Sequence, residues 1–138
     1  MWTTPRDGLI YEQWFKAAEK RFHLPTGLIS RVAYQESRYK PDAKNPSGAT
    51  GIMQMIPKWH PGVDVLDPVD SILAAAQYLA KLYNDFGTIE CALAAYNWGP
   101  GNLAKVRTKF YRDWRDHMPQ ETQSYVRDIL KDLEMQPG

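Results

Sequence analysis

The 138-residue chain has one cysteine, Cys91, a formal net charge of only +1 and no long apolar run. A single thiol excludes an internal disulfide framework and a metal site built from several cysteines. A net charge near zero provides no overall field that would attract nucleic acid, so we expect no nucleic-acid partner. No segment is long and apolar enough to cross a bilayer, which predicts a protein without membrane insertion.

The first twenty residues also lack the continuous apolar segment of a secretory signal, so we expect no signal peptide. A protein of this kind that acts outside the cytoplasm would need another route of delivery. The chain length predicts one domain over residues 1–138, long enough to bury a core without cross-links, and we expect a monomer.

Signals of several common catalytic sites are missing. The three histidines, His23, His60 and His117, lack the helical pairing of a zinc site, so we expect neither a metal nor a cofactor. No serine occupies a nucleophile elbow, and no glycine-rich loop opens a helix after a strand. The basic and aromatic run at 105–115 has its apolar members on one stripe, which favours a solvated helix face over a polyanion site. Carboxylates remain as candidate catalytic groups.

Helical periodicity dominates what the chain does contain, and it predicts a mostly α fold. Six helices are predicted. The first is capped by Asp7 and has Ile10, Trp14, Ala18 and Phe22 on its inner face, the second runs from Pro25 to Tyr39, and the third starts at Asp70 or Ser71 and has Ile72, Ala76, Leu79 and Tyr83 on its inner face. The fourth is capped by Thr88 and ended by Gly99-Pro100-Gly101, the fifth is capped by Asn102, and the sixth follows Pro119. Between Lys40 and Asp67, prolines and glycines interrupt any long helix. A loop of that length is typical of a functional segment, and we expect a short β-hairpin in it around Gly51 to Met55.

Glu36 is a carboxylate at a position where the helical pattern calls for an apolar residue. The stripe of Leu28, Ile29, Val32 and Ala33 continues onto it at the spacing of three and four residues. Burial of a carboxyl group is costly unless the group is paired or protonated. A glutamic acid that keeps its proton near neutral pH is what a general acid requires. Periodicity alone leaves two interpretations open and favours the first: a structural ion pair, or a catalytic acid.

Four motifs, in order along the chain, resemble those of the soluble lytic transglycosylases. They are Glu36-Ser37-Arg38-Tyr39 with Ser47-Gly48-Ala49-Thr50-Gly51-Ile52-Met53-Gln54, then Ala76-Gln77-Tyr78-Leu79, then Ala92-Leu93-Ala94-Ala95-Tyr96-Asn97-Trp98-Gly99-Pro100-Gly101, and finally Pro119 with Glu121-Thr122 and Tyr125-Val126. The resemblance covers roughly residues 24 to 130. One motif alone would be weak, whereas four in the family's order are specific.

The resemblance implies a compact, mostly α, goose-type-lysozyme-like domain that cleaves the glycan strands of peptidoglycan. The bond is the β-1,4 link between N-acetylmuramic acid and N-acetylglucosamine. In the family, the glutamate that matches Glu36 protonates the glycosidic oxygen and then accepts a proton while the muramyl 6-hydroxyl attacks C1. The product ends in 1,6-anhydromuramic acid. Such a mechanism needs one carboxylate, whereas most glycosidases need two.

The resemblance also implies substrate-binding roles by position. The implied residues are Ser37, Asn45, Ser47, Met53, Gln54, Tyr96, Asn97, Glu121 and Tyr125. Two positions depart from the family's usual pattern: Asn45 stands where serine is frequent, and Trp98 where alanine is frequent. The first departure puts the sugar contacts in question more than the acid. Trp98 has two open interpretations, a packing residue or a platform for a sugar ring.

Two alternative functions stay open. The first is a hydrolysing muramidase of the same fold, in which Asp42 or another loop acid would position a water. The second is a non-catalytic wall-binding protein or structural component of a virion. For the enzyme we expect action on periplasmic cell-wall peptidoglycan after delivery by a holin, a virion or a secretion apparatus. A bacteriolytic phage endolysin is one example.

Overall fold

The helices expected from periodicity are present in the computed structural model, which describes all 138 residues. The α-helices are α1 (Glu12–Arg21), α2 (Leu28–Ser37), α3 (Pro68–Phe86), α4 (Ile89–Trp98), α5 (Pro100–Lys109) and α6 (Gln120–Asp132), with 3₁₀ helices at Arg6–Tyr11, Pro57–Trp59 and Trp114–His117. No strand forms, which confirms the mostly α fold. None of these helices is both long and apolar enough to span a bilayer.

The backbone contacts divide the chain into two compact units, Met1–Tyr78 and Leu79–Gly138. Helix α3 begins in the first unit and ends in the second. The expectation of one domain over 1–138 stays a prediction.

The inner face of the first helical segment differs from the expected one. Ile10 is 73% exposed and Trp14 is 40% exposed, whereas Phe15 and Ala18 are fully buried. The reason is that residues 6–11 form a 3₁₀ helix before α1 begins at Glu12. Three residues per turn instead of 3.6 shift the phase of the apolar stripe. The prediction of Ile10 and Trp14 as core residues was therefore wrong, and that of Ala18 was correct.

Helix α2 forms the centre of the first unit's core. The side chains of Leu28, Ile29 and Val32 are fully buried, and each stabilises the fold by about 1.5–3 kcal/mol relative to an exposed position. The hydroxyl of Ser30 on the same helix joins three other groups: the indole N–H of Trp2 donates to it at 3.1 Å, and the hydroxyls of Thr4 and Tyr39 lie 2.6 Å and 3.2 Å away. The apolar side chains of α2 and the hydroxyl of Ser30 are thus both packed inside this unit.

The loop between α2 and α3 is ordered by backbone hydrogen bonds without becoming a sheet. Thr50 exchanges two such bonds with Met55, at 3.0 and 3.1 Å, and the expected hairpin is reduced to isolated antiparallel bridges from Thr50 to Met55 and to Lys44. Extension of the first bridge by two residues would bring Pro57 into the ladder. Proline has no N–H to donate, so the pairing ends there.

The second unit is built on α4, which packs against both α5 and α6. The predicted cap is confirmed: the Thr88 hydroxyl accepts a hydrogen bond from the Cys91 N–H at 3.1 Å. Gly99, with a φ of 102°, ends α4. Helix α5 begins at Pro100 and not after Asn102 as expected, because proline is favoured at a first helical position. The Asn102 side chain instead donates to the Trp98 carbonyl at 2.8 Å.

We predict that Gly51→Ala lowers the free energy of unfolding by about 3 kcal/mol or more. Gly51 has a φ of +85°, and a Cβ there would lie 1.9 Å from the Val65 carbonyl oxygen. Gly48→Ala is the matched control, because Gly48 has a φ of +95° in the same loop but open space around it. The control carries only the backbone strain, about 1–2 kcal/mol. Equal urea midpoints for the two variants would contradict the close approach.

Candidate active site

Glu36 is the next-to-last residue of α2 and is half-buried. The helix ends directly after it, because Arg38 and Tyr39 both adopt positive φ angles, 55° and 66°. Two consecutive left-handed residues reverse the chain within one turn. The carboxylate therefore stands at the very end of a buried helix, where the loop begins.

Ser37 joins that helix end to the motif-bearing loop. Its buried hydroxyl donates to the Ile52 carbonyl at 2.7 Å, with the Ala33 carbonyl as a second acceptor at 3.3 Å. A hydrogen bond between buried groups is costly to break, because the carbonyl left without a donor is still shielded from water. The backbone beside Glu36 and the backbone beside Met53 are thereby held together.

The other predicted residues of the first unit lie in this loop. Asn45 and Ser47 are exposed at the loop tip, where the Asn45 side-chain oxygen accepts hydrogen bonds from the Ser47 N–H at 2.9 Å and the Ala49 N–H at 3.2 Å. The Gln54 amide donates to the Ala43 and Gly51 carbonyls, at 3.0 and 2.9 Å. Met53 is fully buried. Asn45 and Gln54 thus shape the loop with the same groups that were expected to meet a sugar.

The opposite end of α2 is held by an acid that the sequence did not single out. The Glu19 carboxylate, only 4% exposed, accepts hydrogen bonds from the Gly27 N–H at 3.1 Å and the Ile29 N–H at 2.8 Å. A negative charge at a helix N-terminus is favourable. Burial raises the pKa of Glu19 above its ordinary value, against the opposing effect of those backbone hydrogen bonds. The sequence signal that could have indicated its burial is that Glu19 lies four residues, about one helical turn, after Phe15.

The second unit contains the remaining predicted residues at the end of α4 and the start of α6. The Thr122 hydroxyl donates to the Asn97 side-chain oxygen at 2.8 Å, so these two helix ends are joined. Because that oxygen is engaged, the N–H groups of the same amide point away from Thr122. Tyr96 is half-buried, Tyr125 is buried, and Glu121 is exposed in the first turn of α6.

Glu90 is a second buried acid that the pattern did not reveal. It is 5% exposed, and its carboxylate accepts two hydrogen bonds from the Arg115 guanidinium, at 2.6 and 2.8 Å. This contact raises the pKa of Arg115 further above its ordinary value. The guanidinium also lies 4.6 Å from the centroid of the Trp114 ring. Glu90 is therefore a structural group of the second unit.

Comparison with known proteins decides the family. A family model described as "Transglycosylase SLT domain" matches residues 13–118, which include Glu36, the loop and the Tyr96-Asn97 pair. The chain belongs to this family. The match ends before α6, so Glu121 and Tyr125 lie beyond the matched residues.

Similar proteins are lytic transglycosylases. The chain is 36% identical over 128 residues to membrane-bound lytic murein transglycosylase F 1 of Alkalilimnicola ehrlichii, covering 79% of this chain and 26% of that protein. It is 30% identical over 145 aligned residues to the soluble lytic murein transglycosylase of Escherichia coli, covering 88% and 22%. The crystal structure of the 70 kDa soluble lytic transglycosylase of Escherichia coli superposes with a TM-score of 0.77 at 29% identity, over 89% of this chain and 23% of that one. The chain thus spans about a quarter of the length of these relatives.

We predict that Glu19→Gln destabilises the protein by about 1–3 kcal/mol near neutral pH, because one of the two N–H groups loses its charged acceptor. A raised pKa in the folded state means that the folded protein binds the proton more tightly than the unfolded chain does. The contribution of Glu19 to stability is then fully present below its ordinary pKa of 4.5 and declines as the pH rises through the folded value.

The parent protein should therefore gain stability relative to Glu19→Gln as the pH is lowered from 7 to 4. Urea unfolding at several pH values measures this difference. Asp42→Asn, at an exposed acid of the same unit, is the control. A difference between parent and Glu19→Gln that stays constant with pH would contradict the raised pKa of this buried carboxyl group.

We also predict that Thr122→Val lowers the free energy of unfolding by about 1 kcal/mol and frees the Asn97 amide, because valine keeps the shape and removes the donor. The side-chain amide resonances of Asn97 should then lose their dispersion in an NMR spectrum. Thr108→Val, at an exposed site on α5, should change the stability by less than about 0.5 kcal/mol. Unchanged Asn97 amide resonances in Thr122→Val would contradict the contact.

Proposed function

We propose that this protein is a peptidoglycan lytic transglycosylase with Glu36 as its single acid and base. The observation that carries the proposal is the family match over residues 13–118, which includes Glu36 at the end of a buried helix. The substrate bond is the β-1,4 link between N-acetylmuramic acid and N-acetylglucosamine. The named relatives are lytic murein transglycosylases, which supports this choice of polymer.

In the proposed reaction, the Glu36 carboxyl group donates its proton to the glycosidic oxygen as the bond to C1 breaks. The resulting carboxylate then accepts the proton of the muramyl 6-hydroxyl while that oxygen attacks C1. One proton leaves and one returns, so the enzyme ends in its initial state and no water is consumed. The position of Glu36 at the end of a buried helix, within the residues that the family model matches, supports this role.

The other acids of the first unit favour this reaction over hydrolysis. Hydrolysing glycosidases generally need a second carboxylate to activate water or to attack C1. Glu19 is engaged at the N-terminus of α2, and Asp42 is exposed in the loop. Neither offers a second buried, convergent carboxylate to Glu36 within this unit, so a nucleophile supplied by the sugar fits better.

Substrate binding is proposed for a set of residues that share polar or cleft-forming side chains in the family motifs. The set is Ser37, Asn45, Ser47, Met53, Gln54, Tyr96, Asn97, Glu121 and Tyr125. Within it, Ser37 and Gln54 hold the shape of the loop, and the N–H groups of Asn97 are the donors for a sugar. We further propose that the enzyme acts as a monomer on periplasmic peptidoglycan, delivered by a holin, a virion or a secretion apparatus.

The test is digestion of purified peptidoglycan followed by mass analysis of the muropeptides. The products should lack one water relative to those of a hydrolysing lysozyme. Glu36→Gln should reduce their release by at least about 10³-fold, because the amide can neither donate nor accept the required proton. Asp42→Asn is the matched control and should retain activity.

Three results would contradict the proposal. Fully hydrated, reducing ends that depend on Asp42 would identify a muramidase. Wall lysis that continues at the parent rate in Glu36→Gln would show that another group is the acid. Binding without any product from the parent protein would favour a non-catalytic wall protein.

A further inference from the structure

Trp59 is the most exposed tryptophan of the chain, with 66% of its surface accessible. It lies in the 3₁₀ helix Pro57–Trp59, within the same loop that carries Asn45 and Gln54. A large aromatic ring outside the core is available to stack on a flat or apolar ligand face. Trp98, the other tryptophan considered as a sugar platform, is half-buried.

The position of Trp59 is fixed by its surroundings. The backbone N–H of Trp59 donates to the Ile56 carbonyl at 3.0 Å, and the backbone N–H of His60 donates to the Pro57 carbonyl at 3.1 Å. The His60 ring packs edge-on against the Tyr78 ring with 4.9 Å between centroids. Burial of His60 in this contact lowers its pKa, so it packs as a neutral ring near pH 7. These contacts hold in place the backbone of the turn that carries Trp59.

Lys58 gives this surface a charge. Its Nζ lies 4.8 Å from the centroid of the Trp59 ring, within the range of a cation–π contact. An ammonium group beside an exposed aromatic ring offers two kinds of recognition at once. The ring can stack on the apolar face of a sugar, and the cation can pair with a carboxylate.

The distance along the chain keeps this pair near the motif-bearing loop. Trp59 follows Gln54 by five residues, so the two Cα atoms are separated by no more than about 18 Å. Trp59 is therefore near enough to contact the same polymer as the loop.

We propose that Trp59 and Lys58 form an outer binding site for the glycan strand. The ring of Trp59 stacks on a sugar, and Lys58 pairs with a carboxylate of the peptide stem attached to the strand. The inference rests on the proposed function, because it takes peptidoglycan as the polymer. It assigns a substrate contact to a segment for which the family motifs provide none.

The test measures binding of uncross-linked peptidoglycan strands, with and without peptide stems, to the Glu36→Gln protein by calorimetry. Addition of Trp59→Ala should weaken binding of both strands roughly three- to tenfold. Addition of Lys58→Gln should weaken binding of the stem-bearing strand roughly threefold and leave the stem-free strand unchanged. Trp14→Ala and Lys16→Ala, exposed residues on α1, are the matched controls and should bind as the parent does.

Each part of the proposal can fail separately. Parent-like affinity of Trp59→Ala for both strands would overturn the platform, while wall cleavage by the wild-type enzyme would leave the proposed function intact. If Lys58→Gln lowers the affinity for both strands equally, the proposed contact with a stem carboxylate is overturned. If the Glu36→Gln protein itself binds neither strand and the wild type releases no muropeptide, the proposed function fails and this inference fails with it.

Discussion

Helix α2 is held at both ends by buried side-chain hydrogen bonds, and the geometry around Glu36 depends on them. At the N-terminus the Glu19 carboxylate accepts hydrogen bonds from two backbone N–H groups, and at the C-terminus the Ser37 hydroxyl donates a hydrogen bond to the Ile52 carbonyl of the loop. A helix of ten residues would be marginal in isolation. Fixed at both ends and buried along one side, it becomes a rigid support for a single carboxylate.

Two buried acids of this chain and the half-buried Glu36 have surroundings that suit them to different tasks. Glu19 is buried among backbone donors, and Glu90 is buried against a guanidinium, so both have their oxygens engaged by structural partners. Glu36 is only half-buried and lies where a helix gives way to a loop. Burial alone therefore does not distinguish a catalytic carboxylate from a structural one. Under the proposed function, its position at the end of an element and within a family motif sets Glu36 apart from the two structural acids.

The sequence predicted elements with strong local signals and missed those set by backbone conformation. The Thr88 cap and the apolar face of α6 after Pro119 were both correct, because each depends on side chains close together in the chain. Ile10 and Trp14 were placed inside because a 3₁₀ start cannot be distinguished from an α-helix by spacing. The same offset hid Glu19, since Phe15 and Glu19 both lie outside the expected stripe of Ile10, Trp14, Ala18 and Phe22. The candidate site followed from motifs, whereas the hydrogen bonds of Asn45 and Gln54 depend on turns that no periodicity encodes.

The hydroxyl of Ser30 has a consequence for how this sequence can change over time. It serves Trp2, Thr4 and Tyr39 together, so the loss of any one partner leaves the remaining buried groups with an incomplete set of hydrogen bonds. A serine hydroxyl has one donor and two acceptor sites, and all three are occupied here. Positions 4, 30 and 39 are therefore energetically coupled, so the cost of replacing any one of them depends on the residues at the other two.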